Sequence, residues 1–311
     1  MTTRVEPAID ARSLSKSYGT QRGIVEVDLA AAAGEVVGLV GANGAGKTTF
    51  IRTMLDFIRP TAGDVRVFGL DSVRDSVEVR RRTAYLPGDL VLPPRTTGSD
   101  ALRRYSAGRP PLDPARVKTL ASRLDLDLSR KVEDLSKGNR QKVGLMIAFA
   151  PHVDLLVLDE PTSGLDPLLQ REFASLIAEV ANDGVTVLLS SHVMSEVEQV
   201  AQRVALMRDG RIAAVDDLAA IHARARRRGR VRALDPDDLS RIADALRATD
   251  SITNSTVDGD VVAFACVGSM DEVIKTLSRF GIAELDVAHS DLEDAFFSTY
   301  DDAACGEGKA S

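Results

Sequence analysis

The chain has 311 residues, 44% of them apolar, a net charge of −7 and only 4% aromatic residues. This balance leaves no basic footprint for nucleic acid and too few aromatics for base-stacking platforms. Two cysteines far apart, Cys266 and Cys305, lack a metal-ligand pattern and fit a reduced cytoplasmic setting, and no run approaches the ~18 uncharged apolar residues of a membrane span, so work at a membrane would need a partner that crosses it.

Residues 1–10 carry Arg4, Glu6 and Asp10 and no long apolar stretch, which reads against a signal peptide. Residues 8–17 and 23–29 read as strands, and Gly34-Glu35 turns into a short apolar strand over 35–40. Then comes Gly41-Ala42-Asn43-Gly44-Ala45-Gly46-Lys47-Thr48-Thr49, which fits G-x-x-x-x-G-K-[ST]. Residues 49–58 read as a helix with Phe50, Met54, Phe57 and Ile58 on one face. Strand, glycine loop and helix together predict a nucleoside triphosphate site. The glycines let successive N–H groups point at phosphate oxygens, and the helix N-terminus adds positive potential. Lys47 is placed to reach the β- and γ-phosphates and the Thr48 hydroxyl to ligate Mg2+.

After a turn at 59–64, residues 65–68 read as a short strand, 75–82 as a helix and 83–86 as a strand that stops at Pro87-Gly88. From about 89 to 150 the pattern changes to helical segments at 97–107, 113–124 and 139–150, a helical subdomain inserted into the core. Asp113-Pro114 marks a helix start. Strands return at 154–158 and 185–190, nearly continuous in aliphatic residues, as in a parallel sheet covered on both faces. Helices are expected at 168–181 and 194–201, and a hairpin-like pair of strands around Asp209-Gly210. Alternating strands and helices predict an α/β fold, a P-loop core over 1–215.

Residues 216–229 read as a linker helix. Beyond it, 230–300 follow the order β-α-β-β-α-β of a small ferredoxin-like α+β domain with a final helix over 292–300, and 301–311 form a frayed tail. Arg224, Arg226, Arg227, Arg228, Arg230 and Arg232 mark the junction. Two readings stay open for this run: contact with acidic lipid or a partner's loop, and a solvated linker helix.

Leu155 to Leu158 ends in Asp159-Glu160, which brings two carboxylates to the edge of a parallel sheet beside the phosphate loop. Asp159 is the candidate for Mg2+ and Glu160 for polarising a water against the γ-phosphate. Leu135-Ser136-Lys137-Gly138-Asn139 precedes a helix with Val143, Ile147 and Ala150 on one face, and by itself reads as a serine cap.

The ordered set of residues 41–49, 135–139, 155–161, Ser163-Gly164-Leu165-Asp166-Pro167 and Ser190-Ser191-His192 closely resembles the nucleotide-binding subunits of ABC transporters, over roughly residues 9–215. The resemblance implies that Tyr18 stacks on adenine. It implies that Gly41, Asn43, Gly44, Ala45, Gly46, Lys47, Thr48 and Thr49 bind the phosphates of ATP, with Thr48 and Asp159 on Mg2+. Ser136 and Gly138 then contact ATP held by the opposite protomer, Asp166 communicates across the dimer, Glu160 is the general base and His192 touches the γ-phosphate. The implied working form is a homodimer with ATP sandwiched between protomers, peripheral on the cytoplasmic face of the membrane and bound to a separate integral membrane permease; no nucleic-acid partner is expected. Two departures stand out. Gly88-Asp89 occupies the place of a glutamine that couples to the permease, with Asp89 the neighbouring carboxylate, and the signature reads Leu-Ser-Lys-Gly-Asn instead of Leu-Ser-Gly-Gly-Gln. The segment Tyr85-Leu86-Pro87-Gly88-Asp89, the signature and the ending Asp291 to Phe296 resemble exporters of drugs, antibiotics or toxins. The alternative is a soluble ATPase of the same class acting on nucleic acid or ribosomes. Such proteins carry two cassettes or long coiled coils, and neither pattern is present in this sequence. The appended domain is expected to stabilise the dimer or regulate it.

Overall fold

The computed structural model describes residues 6–289 apart from Thr20, Ala225 and Ser269. The helix expected over 292–300 and the tail 301–311 lie outside the described residues. The chain divides into two compact units between Val215 and Asp216.

The first unit contains two sheets. One is antiparallel, in the order Gln21–Ala31, Ile9–Tyr18, Ala62–Val67, Leu70–Asp71. The other has six strands in the order Arg211–Asp217, Arg203–Arg208, Val36–Val40, Thr186–Ser191, Leu155–Asp159, Thr83–Leu86. Its last five strands run parallel. The two aliphatic runs read as buried strands are buried at every position. The core places Val37, Leu39, Val157, Leu188 and Ala205 from the parallel sheet against Phe50, Ile51 and Met54 of the helix Lys47–Met54 and Ile9, Leu14 and Val27 of the antiparallel sheet.

That helix is shorter than the sequence pattern suggests. Asp56 takes a positive φ of 55° and the Phe57 N–H bonds back to Arg52 O, so the chain leaves the helix after Met54. Phe57 therefore lies exposed, off the core face on which the periodicity put it.

Between Gly88 and Pro151 the described chain holds the helices Gly98–Tyr105, Pro114–Arg123 and Lys137–Phe149. Each start has a local cause. Thr97 and Asp100 form a capping box, the Asp113 carboxylate accepts from Ala115 N with Pro114 at the first helical position, and Ser136 Oγ accepts from Asn139 N.

In the second unit the order is Arg226–Ala233, a short turn of helix, Leu239–Arg247, Ile252–Asp258, Val261–Val267, Asp271–Leu277, Ile282–His289. The strands lie in the sheet order Ile252–Asp258, Val261–Val267, Arg226–Ala233, Ile282–His289, with all pairs antiparallel. One face is covered by the two helices, whose Ile242, Leu246, Val273 and Leu277 pack on Val231, Val262 and Phe264. The single linker helix expected over 216–229 is absent: a helix spans only Leu218–Arg224, and a strand begins at Arg226. Strand pairing overrides helical propensity here, because Arg226–Val231 find partners in register along Val262–Val267. The solvated linker helix is thus not what this run forms beyond Arg224: from Arg226 on it lies in a strand. Arg230 pairs with Asp258 at 3.3 Å and Arg232 with Asp260, both at the turn between Ile252–Asp258 and Val261–Val267, and Arg232 also pairs with Glu284 of the neighbouring strand at 3.5 Å.

Gly229 sits opposite Phe264, and a Cβ added there would lie 2.1 Å from the ring's Cζ. Gly229→Ala is expected to destabilise this unit by about 1–3 kcal/mol through overpacking. A calorimetric scan with and without ATP checks it: the unit's transition should fall while the nucleotide-induced shift of the first unit persists.

Candidate active site

Parallel strands end on one edge of their sheet, and that edge collects the chemistry. Val36–Val40 leads into Gly41, Leu155–Asp159 into Glu160, Thr186–Ser191 into His192, and Thr83–Leu86 into Pro87-Gly88. The register sets Asp159 beside Ser190 and Val40 beside Ser191.

The glycine loop curls as its composition allows. Gly44 and Gly46 have φ of 85° and 112°, a region L side chains avoid. A Cβ at Gly41 would stand 2.2 Å from the Met207 carbonyl oxygen. Gly46 caps the helix Lys47–Met54 without any side-chain hydrogen bond, so the first-turn N–H groups have no side-chain acceptor. This is a cradle of donors with positive potential, and it fits a polyphosphate. Ala45 is buried beneath it, while Asn43 and Gly44 face solvent. Thr48 and Thr49 are half-buried, and the Thr49 carbonyl accepts from Thr53 Oγ1 at 2.7 Å.

Lys47 is 95% buried and bends back over the loop. Its Nζ donates to Gly41 O at 2.6 Å and Ala42 O at 3.3 Å and pairs with Glu160 Oε1 at 3.1 Å. The other carboxylate oxygen of Glu160 lies 2.7 Å from His192 Nδ1. Glu160 has a φ of 50°, unusual for a non-glycine residue. Its N–H is held by Ser190 O at 3.1 Å and Ser190 Oγ at 3.2 Å. The buried Asp159 carboxylate accepts from Ser190 Oγ at 2.5 Å. Lys47, Asp159, Glu160 and His192 thus form one cluster.

The remaining residues singled out in the sequence lie elsewhere or play another local part. Tyr18 is half-exposed with Lys16 Nζ 5.4 Å from its ring centroid, and Gly23 is the point where its ring and the Thr49 methyl come together. Ser136 is exposed and Gly138 has open space around it. Among the described residues no hydrogen bond or ion pair ties either of them to the Lys47 cluster. Asp166 caps the helix Pro167–Asn182, accepting from Leu169 N at 2.9 Å. Asp89 does not turn toward Asp159. It is exposed and bonded to Arg52 of the phosphate-loop helix at 3.0 Å. Gly88 fits tightly, since a Cβ there would lie 3.0 Å from Asp159 O.

Three features escaped sequence reasoning. Ser190, known from the sequence only as the start of the His192 station, binds both acids' segments, a role that only the register reveals. Tyr85 buries its hydroxyl near Asp159; burial first, and then the Asp159 charge, pushes its pKa up to about 12, so it is a neutral phenol. Gln141 reaches from the signature helix to Ser163 O, and Lys137 Nζ lies near Gly164. For a cation the hard oxygens of Thr48 and Asp159 are the suitable donors. Among the described residues there is no group of three or more His, Cys, Asp or Glu that could hold a metal.

A family model described as ABC transporter matches residues 24–163. The chain is 30% identical to the bacitracin transport ATP-binding protein BcrA of Enterococcus faecalis, over 94% of this chain and 96% of that protein. It is 34% identical to the ABC transporter ATP-binding protein NatA of Bacillus subtilis, over 61% of this chain and 80% of that protein. It is 35% identical to the daunorubicin resistance ATP-binding protein DrrA3 of Streptomyces coeruleorubidus, over 67% and 68%. Among solved structures, an ATP-binding subunit of an ABC transporter superposes with a TM-score of 0.64 at 29% identity, covering 69% of this chain and 92% of that one. A dimeric ATP-binding cassette with ADP and Pi superposes at 0.61 and 20% identity, covering 68% and 98%, and shares the fold.

Proposed function

Because the chain belongs to the ABC transporter family, as a subunit that binds and hydrolyses ATP to power export, we propose that its cargo is a drug, antibiotic or toxin. A separate integral membrane permease carries that cargo. Relatives named for bacitracin and daunorubicin support this reading. No helix among the described residues is long and apolar enough to cross a membrane; the relatives named as transport ATP-binding proteins support a peripheral place on the cytoplasmic face of the permease.

The observation that carries the chemistry is Glu160 held between Lys47 at 3.1 Å and His192 at 2.7 Å. Glu160 is the general base: its carboxylate takes the proton of a water aimed at the γ-phosphate. Lys47, the loop N–H groups and the helix N-terminus hold the phosphates and stabilise developing charge. Thr48 and Asp159 would hold Mg2+, which would neutralise phosphate charge. His192 keeps Glu160 oriented, and Tyr18 lies under the base. Lys47 already has Glu160 as counter-ion, so an arriving phosphate competes with that carboxylate and frees it. Ser136, exposed, and Gly138, half-buried with open space beside it, serve the ATP of a second copy, and two copies clasp two ATP in a head-to-tail homodimer. Asp166, at the start of the helix beside that face, relays the state of one site to the other.

The test is co-expression with a candidate polytopic permease. The two are expected to co-purify from detergent, with ATPase activity that responds to cargo. Association with ribosomes or DNA alone, and never with a membrane protein, would overturn the proposal.

A further inference from the structure

Glu196 lies outside the cluster but is bonded to both loops that form it. Its Oε2 accepts from Thr162 Oγ1 at 2.5 Å and from Ser191 Oγ at 2.7 Å. Thr162 is two residues past Glu160, on the way to Asp166, and Ser191 immediately precedes His192. Both hydroxyl residues are buried, at 6% and 1% exposure. Ser191 Oγ in turn accepts from Val193 N at 3.0 Å, on the far side of His192. The short helix Met194–Glu198 that carries Glu196 has no play against the sheet: Val197 packs so closely on Gly38 that a Cβ there would fall 2.0 Å from Val197 Cγ1.

We propose that Glu196 is a positioning residue, a carboxylate clamp that fixes the loop after Glu160 and the loop bearing His192 at one distance, and so sets the Glu160–His192 contact. Two hydroxyls donating to one ionised oxygen make short, charge-assisted bonds. Without the acceptor, two buried hydroxyls lose their partner, and the loops relax to find others. The contact at risk is the 2.7 Å bond between His192 and Glu160, because Thr162 and Ser191 flank its two partners, whereas the glycine loop meets the clamp only through one long backbone bond, from Gly41 N to Ser191 O at 3.3 Å. This rests on the reading of Glu160 as the base, so one readout must be independent of turnover.

The experiment uses the full chain. Glu196→Ala is expected to lower single-turnover ATP hydrolysis about tenfold, the scale of a small misplacement of a catalytic group, with ATP affinity within about twofold of wild type. Glu196→Gln, which keeps an acceptor oxygen facing both hydroxyls, should restore most of the rate. Without nucleotide, the side-chain NMR signal of His192, assigned by its loss in His192→Ala, should move in Glu196→Ala and return in Glu196→Gln. An unmoved His192 signal, or parallel loss of rate, affinity and melting temperature in both variants, overturns the clamp. If Glu160→Gln retains wild-type turnover, the assignment of the base fails while the His192 signal still decides the clamp. Should Glu196→Ala not fold, Thr162→Val removes one donor and is read the same two ways.

Discussion

Glu160→Gln is expected to bring ATP turnover down by at least about a hundredfold, at the low end of what a general base contributes, and to trap an ATP-bound dimer. The amide is nearly isosteric with the carboxylate, so the Ser190 bonds to the backbone N–H persist. The amide oxygen can still face Lys47 or His192. What disappears is the ability to take a proton. Binding should not weaken, because the substitution also removes the carboxylate that competes with phosphate for Lys47. Phosphate release measured beside size-exclusion chromatography in ATP reads both effects. Wild-type turnover by this variant would remove Glu160 from the role of base, and slow turnover without any dimer would remove the sandwich.

Lys47→Ala should act one step earlier. Lys47 is the one buried cation of the cluster, with its ammonium over the loop's own carbonyls. A charge-assisted bond to an anion contributes about 1.5–3 kcal/mol, so ATP affinity should fall about tenfold to a hundredfold, and turnover below detection. The fold should survive, since the loop's curl is set by Gly44 and Gly46. The deletion also leaves Glu160 without its ion pair, so its remaining partner is His192. Titration with a fluorescent ATP analogue checks the affinity, and circular dichroism the fold. Binding of ATP at wild-type strength would mean that the backbone N–H groups alone hold the phosphates.

Some expectations failed for identifiable reasons. The phosphate-loop helix was read to Ile58 because Phe57 kept the apolar period, yet Asp56 breaks it at a positive φ. The arginines at 226–228 fell inside the helix expected over 216–229 because a charge run carries no strand signal; antiparallel pairing with Val267, Cys266 and Ala265 decided otherwise.

By itself, the sequence determined the phosphate loop, the strand ending in Asp159-Glu160, the helix caps at Asp113 and Ser136 and the alternation that makes an α/β sheet. These are local facts: glycine at fixed spacing, a carboxylate after an aliphatic run, a hydroxyl before a helical period. Only the tertiary structure decided which side chains meet. The parallel register put Ser190 against Asp159, brought Glu160 between Lys47 and His192, and let Glu196 reach Thr162 and Ser191. Those contacts join residues up to 113 positions apart (from Lys47 to Glu160), and no short-range pattern encodes a distance that strand order and register alone create.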